Sequence, residues 1–81
     1  MLELYQFEGC PYCAMVRETL DDLGLDYVVR SVPHGLQGRD RVRAVSGQDL
    51  VPVLVDPERS QVLADSRRII DYLKAAYPSH A

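Results

Sequence analysis

The chain has 81 residues, which suffices for one domain, and we expect residues 1–81 to form it. Its composition, 47% hydrophobic and 26% charged, is that of an ordinary globular domain, and its net charge of −3 gives no support for binding nucleic acid or an anionic membrane. No apolar run approaches the roughly 20 residues that a transmembrane helix needs. The N-terminus lacks the basic and apolar regions of an export signal. We therefore expect a cytoplasmic monomer without nucleic-acid or membrane partners.

The N-terminal part of the chain predicts a strand, a helix and a second strand. Large side chains alternate over residues 2–7, which indicates a strand. Over residues 12–23 apolar positions recur at helical spacing, and Gly24 follows as a stop signal. Residues 27–29 form a short, mostly β-branched run, which favours a second strand.

The middle of the chain predicts a helix and two further strands. A loop rich in proline and glycine precedes a weaker helical pattern over about residues 39–45. Residues 51–55 then predict a third strand, residues 56–60 a turn and residues 61–63 a fourth strand.

A last helix closes the predicted fold. Asp65 or Ser66 can cap it, and Pro78 ends it. Its apolar face consists of Ile69, Ile70, Leu73, Ala76 and Tyr77. The predicted order is therefore βαβαββα. Right-handed crossovers make the first two strands parallel, and the later hairpin lies antiparallel beside them. The result is a four-stranded mixed α/β sheet flanked by three helices, with helices on both faces.

Cys10 and Cys13 enclose Pro11 and Tyr12 at the point where the first strand leads into the first helix. Pro11 suits the first helical position, which places Cys10 at or near the N-cap. Its sulfur then faces unpaired backbone N–H groups and the positive end of the helix dipole, which favour the thiolate. Three residues along a helix separate two Cα atoms by about 5 Å, within the range of about 4.4–6.8 Å that a disulfide requires. We therefore predict an exposed nucleophile, Cys10, and a resolving thiol, Cys13, tucked one turn behind it.

Two other interpretations of the cysteine pair are inert buried thiols and half of a metal site. A zinc site takes four ligands, usually as two such pairs. The further candidates in this chain are His34 and His80, which are isolated in the sequence. We expect no bound metal, and redox chemistry is the favoured interpretation of two cysteines at this spacing.

In its Cys-Pro-Tyr-Cys motif the chain resembles the dithiol glutaredoxins, and more closely the branch that they share with the N-terminal domains of glutathione transferases. Val51 and Pro52 match the family's Val-Pro pair, in which the proline is cis. Asp65 and Ser66 stand at the family's acidic-Ser pair before the last helix. The three motifs occur in order, and the resemblance covers nearly the whole chain. It implies a thioredoxin-like fold.

The resemblance also implies a glutathione site. In the family, the backbone of the residue before the cis-proline, here Val51, pairs with the cysteinyl part of glutathione. Asp65 would meet the γ-glutamyl ammonium, while Ser66 and the helix N-terminus would hold its α-carboxylate. Tyr12 is either a surface ring or a wall beside the thiolate.

One departure from the family pattern concerns the glycine end of glutathione. Many glutaredoxins carry a lysine three residues before the nucleophile, where this chain has Phe7 followed by Glu8. Arg39, Arg41 and Arg43 are the candidates to supply the missing cation. The alternative is that these arginines form a solvated helix face.

Together these features predict a glutathione-dependent thiol–disulfide oxidoreductase with no bound cofactor. Glutathione would be its co-substrate, and oxidised or glutathionylated proteins would be its clients. One alternative is a non-enzymatic module that holds an iron–sulfur cluster or zinc, and another is an oxidoreductase that uses a different low-molecular-weight thiol. The proline and tyrosine between the cysteines argue against the cluster, because cluster-binding relatives usually have glycine or serine there.

Overall fold

The computed structural model describes residues 1–35 and 37–78, and its elements follow the predicted order. The strands are β1 (Leu2–Gln6), β2 (Tyr27–Ser31), β3 (Val53–Asp56) and β4 (Gln61–Ala64), and the helices are α1 (Pro11–Asp22), α2 (Asp40–Ser46) and α3 (Ser66–Ala76). A 3₁₀ turn, Pro57–Arg59, occupies the predicted turn between β3 and β4. The βαβαββα arrangement is therefore confirmed.

The four strands form one mixed sheet in the order β2-β1-β3-β4. β1 pairs in parallel with β2, as predicted for strands joined through α1, and Gln6 lies opposite Ser31. β1 also pairs antiparallel with β3, which forms an antiparallel hairpin with β4. With helices on both faces, this is the predicted thioredoxin-like α/β fold.

Buried apolar side chains form two clusters, because successive strand residues point to opposite faces of the sheet. The larger cluster, which α1 and α3 share with the sheet, contains Leu2, Leu4, Val16, Leu20, Leu54, Ile69 and Leu73. The smaller one contains Tyr5, Val53 and Val42 of α2. Full burial of a side chain of this size contributes about 1.5–3 kcal/mol. The larger cluster therefore fixes α1 against the sheet and holds the start of that helix beside the end of β1.

Two strand boundaries differ from the predicted ones. β2 extends beyond residues 27–29 because its polar end finds cross-strand partners; for example, Arg30 Nε donates to Glu3 Oε1 at 3.1 Å. β3 begins at Val53, two residues later than predicted, since Pro52 has no N–H to donate to a ladder.

Candidate active site

Cys10 lies at the N-cap of α1, as predicted, and Pro11 is the first residue of the helix. Cys10 has extended backbone angles (φ −78°, ψ 114°), and its Sγ accepts a hydrogen bond from the Cys13 N–H at 3.2 Å. Neither cysteine forms a disulfide. The sulfur thus takes the place in which a side-chain oxygen usually satisfies an unpaired N–H group of a helix.

The two sulfurs differ less in exposure than expected. Cys13 is fully buried, as predicted, but Cys10 is only 5% exposed. The expectation of an exposed nucleophile is wrong, because the N-cap hydrogen bond turns the Cys10 side chain back over the first turn of α1. Backbone position distinguishes the two thiols instead, since Cys10 is the N-cap residue and Cys13 lies inside the first turn of α1.

The pKa of the Cys13 thiol is raised to about 12, chiefly by burial. The neighbouring Cys10 thiol raises this pKa further, whereas the backbone of Phe7 and the charge of Arg17 lower it. Cys13 is therefore protonated at neutral pH. A protonated thiol is a poor nucleophile, so Cys13 is unsuited to the first attack and must lose its proton before it can take part in a resolving step.

A groove of about 390 Å³ begins at Tyr12, between the two cysteines in the chain, and reaches the start of α3. Its lining residues are Tyr12, Gln48, Leu50, Val51, Pro52, Ala64, Asp65 and Ser66. The Val51–Pro52 peptide bond is cis, as the family resemblance implied. The structure thus brings together five predicted site residues that are widely separated in the chain. A second groove, of about 450 Å³ between α1 and α3, contains neither a cysteine nor the cis-proline.

Gln48, Leu50 and Ala64 line the same groove but were not predicted as site residues. Leu50 directly precedes Val51, and Ala64 directly precedes Asp65. Leu50 is 61% exposed, so it offers an apolar contact at the rim of the groove. Adjacency to the two motifs is the signal that could have identified Leu50 and Ala64, whereas no sequence signal points to Gln48.

The N-terminus of α3 contributes one end of the groove. Asp65 is the N-cap, with Oδ2 accepting a hydrogen bond from the Arg68 N–H at 3.3 Å, and Ser66 is the buried first residue of the helix. Asp65 has a φ of 79°, which is uncommon for a residue other than glycine. Strained backbone of this kind clusters at ligand sites. It supports the hypothesis that Asp65 binds a ligand as well as capping α3.

Arg39 is 3% exposed and holds two loops together. Its guanidinium donates to the carbonyl oxygens of Pro33, His34 and Asp49 at 2.8 to 3.0 Å. Its Cζ atom also lies 5.3 Å from the centre of the Phe7 ring. The solvated-face interpretation is therefore wrong for Arg39, because most of its donors are used inside the protein.

The other two arginines of this segment lie on the surface of α2. Arg43 pairs with Asp49 at 2.5 Å and with Asp40 at 3.4 Å. Arg41 is exposed, and its side chain forms no hydrogen bond or ion pair with the residues that the structure describes. Neither arginine lines the groove beside Tyr12. A role for either in binding a carboxylate stays a prediction.

Phe7, at the position where many glutaredoxins carry a lysine, is packed against the loop after β2. Its ring centre lies 4.8 Å from that of His34, with the planes tilted by 43°. The Phe7 carbonyl accepts the Cys10 N–H at 3.4 Å. Phe7 therefore links the cysteine loop to the loop that Arg39 holds, a contact between residues too distant in the sequence to be predicted.

Within residues 1–35 and 37–78, no group of three or more histidine, cysteine, aspartate or glutamate side chains is arranged to hold a metal ion. His34 lies in the loop between β2 and α2, and His80 lies outside the described residues. Over the same part of the chain, no helix is long and apolar enough to cross a membrane.

The sequence profile of the glutathione S-transferase N-terminal domain matches residues 4–81. The chain belongs to this family. It is also 32% identical, over 54 residues, to an uncharacterized glutaredoxin-like 8.6 kDa protein in the rubredoxin operon of Clostridium pasteurianum. That alignment covers 67% of this chain and 72% of the relative. The branch of glutaredoxins and glutathione transferase N-terminal domains, predicted from three motifs, is therefore confirmed.

Solved structures of glutathione transferases and a glutaredoxin share the fold. Glutathione transferase E6 from Drosophila melanogaster is 27% identical with a TM-score of 0.83, and the match covers 100% of this chain and 36% of that one. Glutaredoxin 2 from Salmonella typhimurium, in complex with glutathione, is 20% identical with a TM-score of 0.83, and the match covers 98% and 35%. The chain thus spans little more than a third of these proteins, and the likeness to glutaredoxin 2 shows the fold alone.

Proposed function

We propose that this domain is a glutathione-dependent thiol–disulfide oxidoreductase of the glutaredoxin kind, with Cys10 as nucleophile and Cys13 as resolving thiol. The observation that carries the proposal is the hydrogen bond of 3.2 Å from the Cys13 N–H to Cys10 Sγ at the N-cap of α1. Two cysteines one helical turn apart can exchange directly with a disulfide.

The proposed reaction begins when the Cys10 thiolate attacks a protein–glutathione mixed disulfide. A bond forms between Cys10 Sγ and the glutathione sulfur, and the client protein leaves as a thiolate that takes up a proton. A second glutathione thiolate attacks this intermediate, releases oxidised glutathione and regenerates Cys10. With a protein disulfide as substrate, Cys13 attacks Cys10 Sγ instead and expels the client's remaining thiol. Two glutathione molecules then reduce the Cys10–Cys13 disulfide.

We assign glutathione to the groove that begins at Tyr12, whose size is within the range of about 300–1,000 Å³ for small-molecule sites. The Val51 backbone, held beside Pro52, would pair with the cysteinyl part of the ligand. The Asp65 carboxylate would attract the γ-glutamyl ammonium. Ser66 and the unpaired N–H groups at the start of α3 would hold the α-carboxylate, as helix N-termini do for anions.

For the glycine carboxylate, Arg41 is the remaining candidate of the three arginines, since Arg39 is bound within the loops and Arg43 pairs with two aspartates. Glutathione as the ligand is supported by fold neighbours solved with it, glutaredoxin 2 from Salmonella typhimurium and a glutathione transferase homolog from Sulfitobacter. We place the reaction in the cytoplasm, where thiols stay reduced, with oxidised or glutathionylated proteins as clients.

The test measures two reactions of the whole chain: reduction of hydroxyethyl disulfide by glutathione, and removal of glutathione from a glutathionylated protein. The two single-cysteine variants form a matched pair. Cys10→Ser should be inactive in both reactions because it lacks the attacking thiolate. Cys13→Ser should retain both, since a second glutathione resolves the intermediate, but should lose dithiol reduction of a protein disulfide.

Two results would contradict the proposal. An active Cys10→Ser variant beside an inactive Cys13→Ser variant would reverse the assigned roles. Equal rates with glutathione and with N-acetylcysteine, which has no γ-glutamyl group, would show that the groove does not recognise glutathione. That second result would leave the exchange chemistry in place with a different thiol as co-substrate.

A further inference from the structure

A row of polar side chains crosses the sheet near the cysteines. Arg17 of α1 donates from Nη1 to Gln6 Oε1, and Gln6 Nε2 donates to Ser31 Oγ at 3.0 Å. Gln6 is 1% exposed, at the end of β1, and lies opposite Ser31 in the parallel ladder. The row therefore holds the Arg17 guanidinium against the face of the sheet that α1 covers.

Arg17 lies four residues, about one helical turn, after Cys13. Residues four apart share one face of a helix, with Cβ atoms about 5–6 Å apart, and Cys13 is fully buried on this face. The bonding partner of Arg17 is the neutral amide of Gln6, and no carboxylate forms an ion pair with it among the described residues. A partly buried cation with no ion-pair partner among the described residues thus lies one helical turn from a buried thiol.

We infer that Arg17 is a positioning residue for the resolving step: held by Gln6 and Ser31, it favours the Cys13 thiolate when Cys13 attacks a mixed disulfide on Cys10. The inference rests on the proposed function and concerns only the branch in which Cys13 takes part. In that step the Cys13 thiol loses its proton, and a bond forms between the two cysteine sulfurs. The bond from Cys10 to the departing sulfur breaks, and the departing thiolate takes up a proton.

The surroundings of Cys13 explain why a cation matters at this step. Burial raises the pKa of its thiol and the Cys10 thiol raises it further, whereas the backbone of Phe7 and the charge of Arg17 lower it. Once Cys10 is part of a mixed disulfide it carries no charge. Burial then disfavours the Cys13 thiolate and Arg17 favours it, with no Cys10 thiolate nearby to repel it. The other titratable groups near Arg17 are Tyr27 on β2 and Asp21 on α1. Burial and Asp21 raise the pKa of Tyr27, so this hydroxyl stays neutral near pH 7.

The experiment follows a single turnover with oxidised glutathione. Reduced enzyme and oxidised glutathione are mixed rapidly and quenched with acid, and mass spectrometry measures the Cys10–glutathione mixed disulfide and the Cys10–Cys13 disulfide over time. Formation of the mixed disulfide reports Cys10, and its decay reports Cys13. Repeating the decay across pH gives the profile of the resolving thiol, which a merely structural role for Arg17 would not shift.

The decisive variant is Gln6→Glu, which keeps the hydrogen bond to Arg17 but sets a carboxylate against its charge. We expect decay of the mixed disulfide to be about tenfold slower near pH 7, with its pH profile moved to higher pH, because a nearby opposite charge commonly shifts a pKa by about one unit or more. The rate at which the Cys10–glutathione mixed disulfide forms should be unchanged. Arg17→Gln should slow decay similarly, and Arg17→Lys, which keeps the charge, should recover most of the rate. Lys74→Gln removes an exposed charge of α3 and should change neither step.

Wild-type decay rates and pH profiles in Gln6→Glu would overturn the inference and leave the proposed function intact. If Arg17→Gln does not fold, Gln6→Glu and Arg17→Lys still decide the question, since both keep a hydrogen bond between positions 6 and 17. If even the wild-type chain forms no mixed disulfide with oxidised glutathione, the proposed function itself fails, and the inference falls with it.

Discussion

The two ends of the sheet bury polar groups in different ways. Where β1 leads into α1, the nearly buried Cys10 Sγ accepts one backbone N–H. At the other end, the carboxylate of Asp56 is 1% exposed and accepts hydrogen bonds from the hydroxyls of Tyr72 and Tyr77, both at 2.6 Å. Because β1 and β3 are antiparallel, Asp56 at the end of β3 lies beside the start of β1, far from the cysteines.

Asp56 is a group that stabilises the fold, whereas Cys10 is a group that can react. Burial alone would raise the pKa of Asp56, but the hydrogen bonds from Tyr72 and Tyr77, aided by the backbone and charge of Arg59, hold that pKa below its usual range. Arg59 also lies over the Tyr77 ring, 4.9 Å from its centre. With its donors supplied, Asp56 ties α3 to β3. Cys10 Sγ is held by a backbone N–H of its own helix and keeps the capacity to form a bond with a substrate.

The largest effect on stability is expected from Asp56→Ala. This change leaves two half-buried hydroxyls without their acceptor, and hydrogen bonds to a charged group contribute about 1.5–3 kcal/mol each. We expect the free energy of unfolding, measured by urea denaturation, to fall by about 3 kcal/mol or more. Activity per folded molecule should be unchanged.

Cys10→Ser is the matched variant at the other end of the sheet. It should abolish activity but change the free energy of unfolding by less than about 1 kcal/mol, because serine is also a good N-cap residue. Equal destabilisation by Asp56→Ala and Cys10→Ser would contradict the interpretation of Asp56 as a stabilising group and Cys10 as a reactive one.

A smaller effect is expected from removing one hydroxyl at a time. Tyr72→Phe and Tyr77→Phe should each lower the free energy of unfolding by about 1.5 kcal/mol, the lower bound for a hydrogen bond to a charged group. Both hydroxyls donate to the same oxygen, Asp56 Oδ2, so the two changes should not be additive in a double-mutant cycle. Strict additivity in urea denaturation would indicate that the two tyrosines act independently.

The cysteine end could be predicted from the sequence because its determinants are local. Four consecutive residues at a strand–helix junction specify the N-cap, the first helical residue and the spacing of the thiols. The Asp56 cluster could not be predicted, since its partners are 16 and 21 residues away. Tyr77 fitted the apolar face of the last helix, and Asp56 fitted a turn. Neither pattern reveals that the two side chains meet.

Arg39 shows the same limit on prediction. Alternating arginines indicate a solvated helix face, yet this one is buried because loop carbonyl groups without a strand partner need donors. The carbonyls of Pro33 and His34 are two such groups. A proline- and glycine-rich segment predicts a loop, but nothing in it specifies which side chain will satisfy its backbone.

The groups at the Asp56 end of the sheet should lose their stabilising effect at both extremes of pH. The pKa of Asp56 is lowered in the folded state, so its stabilisation is present above its ordinary value of 3.8 and is lost as pH falls through the lower folded value. The pKa of Tyr72 is raised to about 12 by burial and by Asp56, so its stabilisation is present below its ordinary value of 10.0 and is lost as pH rises toward 12.

Urea midpoints followed from neutral pH in both directions test these signs. In Asp56→Ala the acid limb, which is the fall of the urea midpoint below neutral pH, should flatten. In Tyr72→Phe the alkaline limb, which is the fall above neutral pH, should weaken. The alkaline limb should not vanish, because the pKa of Cys13 is also raised to about 12, chiefly by burial. An acid limb that is the same in Asp56→Ala and in the wild type would mean that another carboxylate controls acid unfolding.

The smallest expected effect concerns the glycine end of glutathione, where Phe7 stands at the position of the lysine that many glutaredoxins carry. Arg41 is exposed, and exposed ion pairs contribute little, so we expect Arg41→Ala to raise the KM for glutathione only about two- to fivefold. The KM for γ-glutamylcysteine, which lacks the glycine carboxylate, should not change. Added salt should reduce the difference between wild type and variant with glutathione, since screening weakens a contact between solvent-exposed charges.

Arg43→Ala is the matched control, because Arg43 is held by Asp40 and Asp49 and has less freedom to meet a ligand. If Arg41→Ala and Arg43→Ala are both silent, and γ-glutamylcysteine serves as well as glutathione, then the glycine end is not recognised. The cysteine end of the sheet would then still differ from the Asp56 end in its reactivity, but the glycine carboxylate would play no part in the choice of co-substrate. The thiol pair would define the reaction, while the groove would select its co-substrate through the γ-glutamyl end alone.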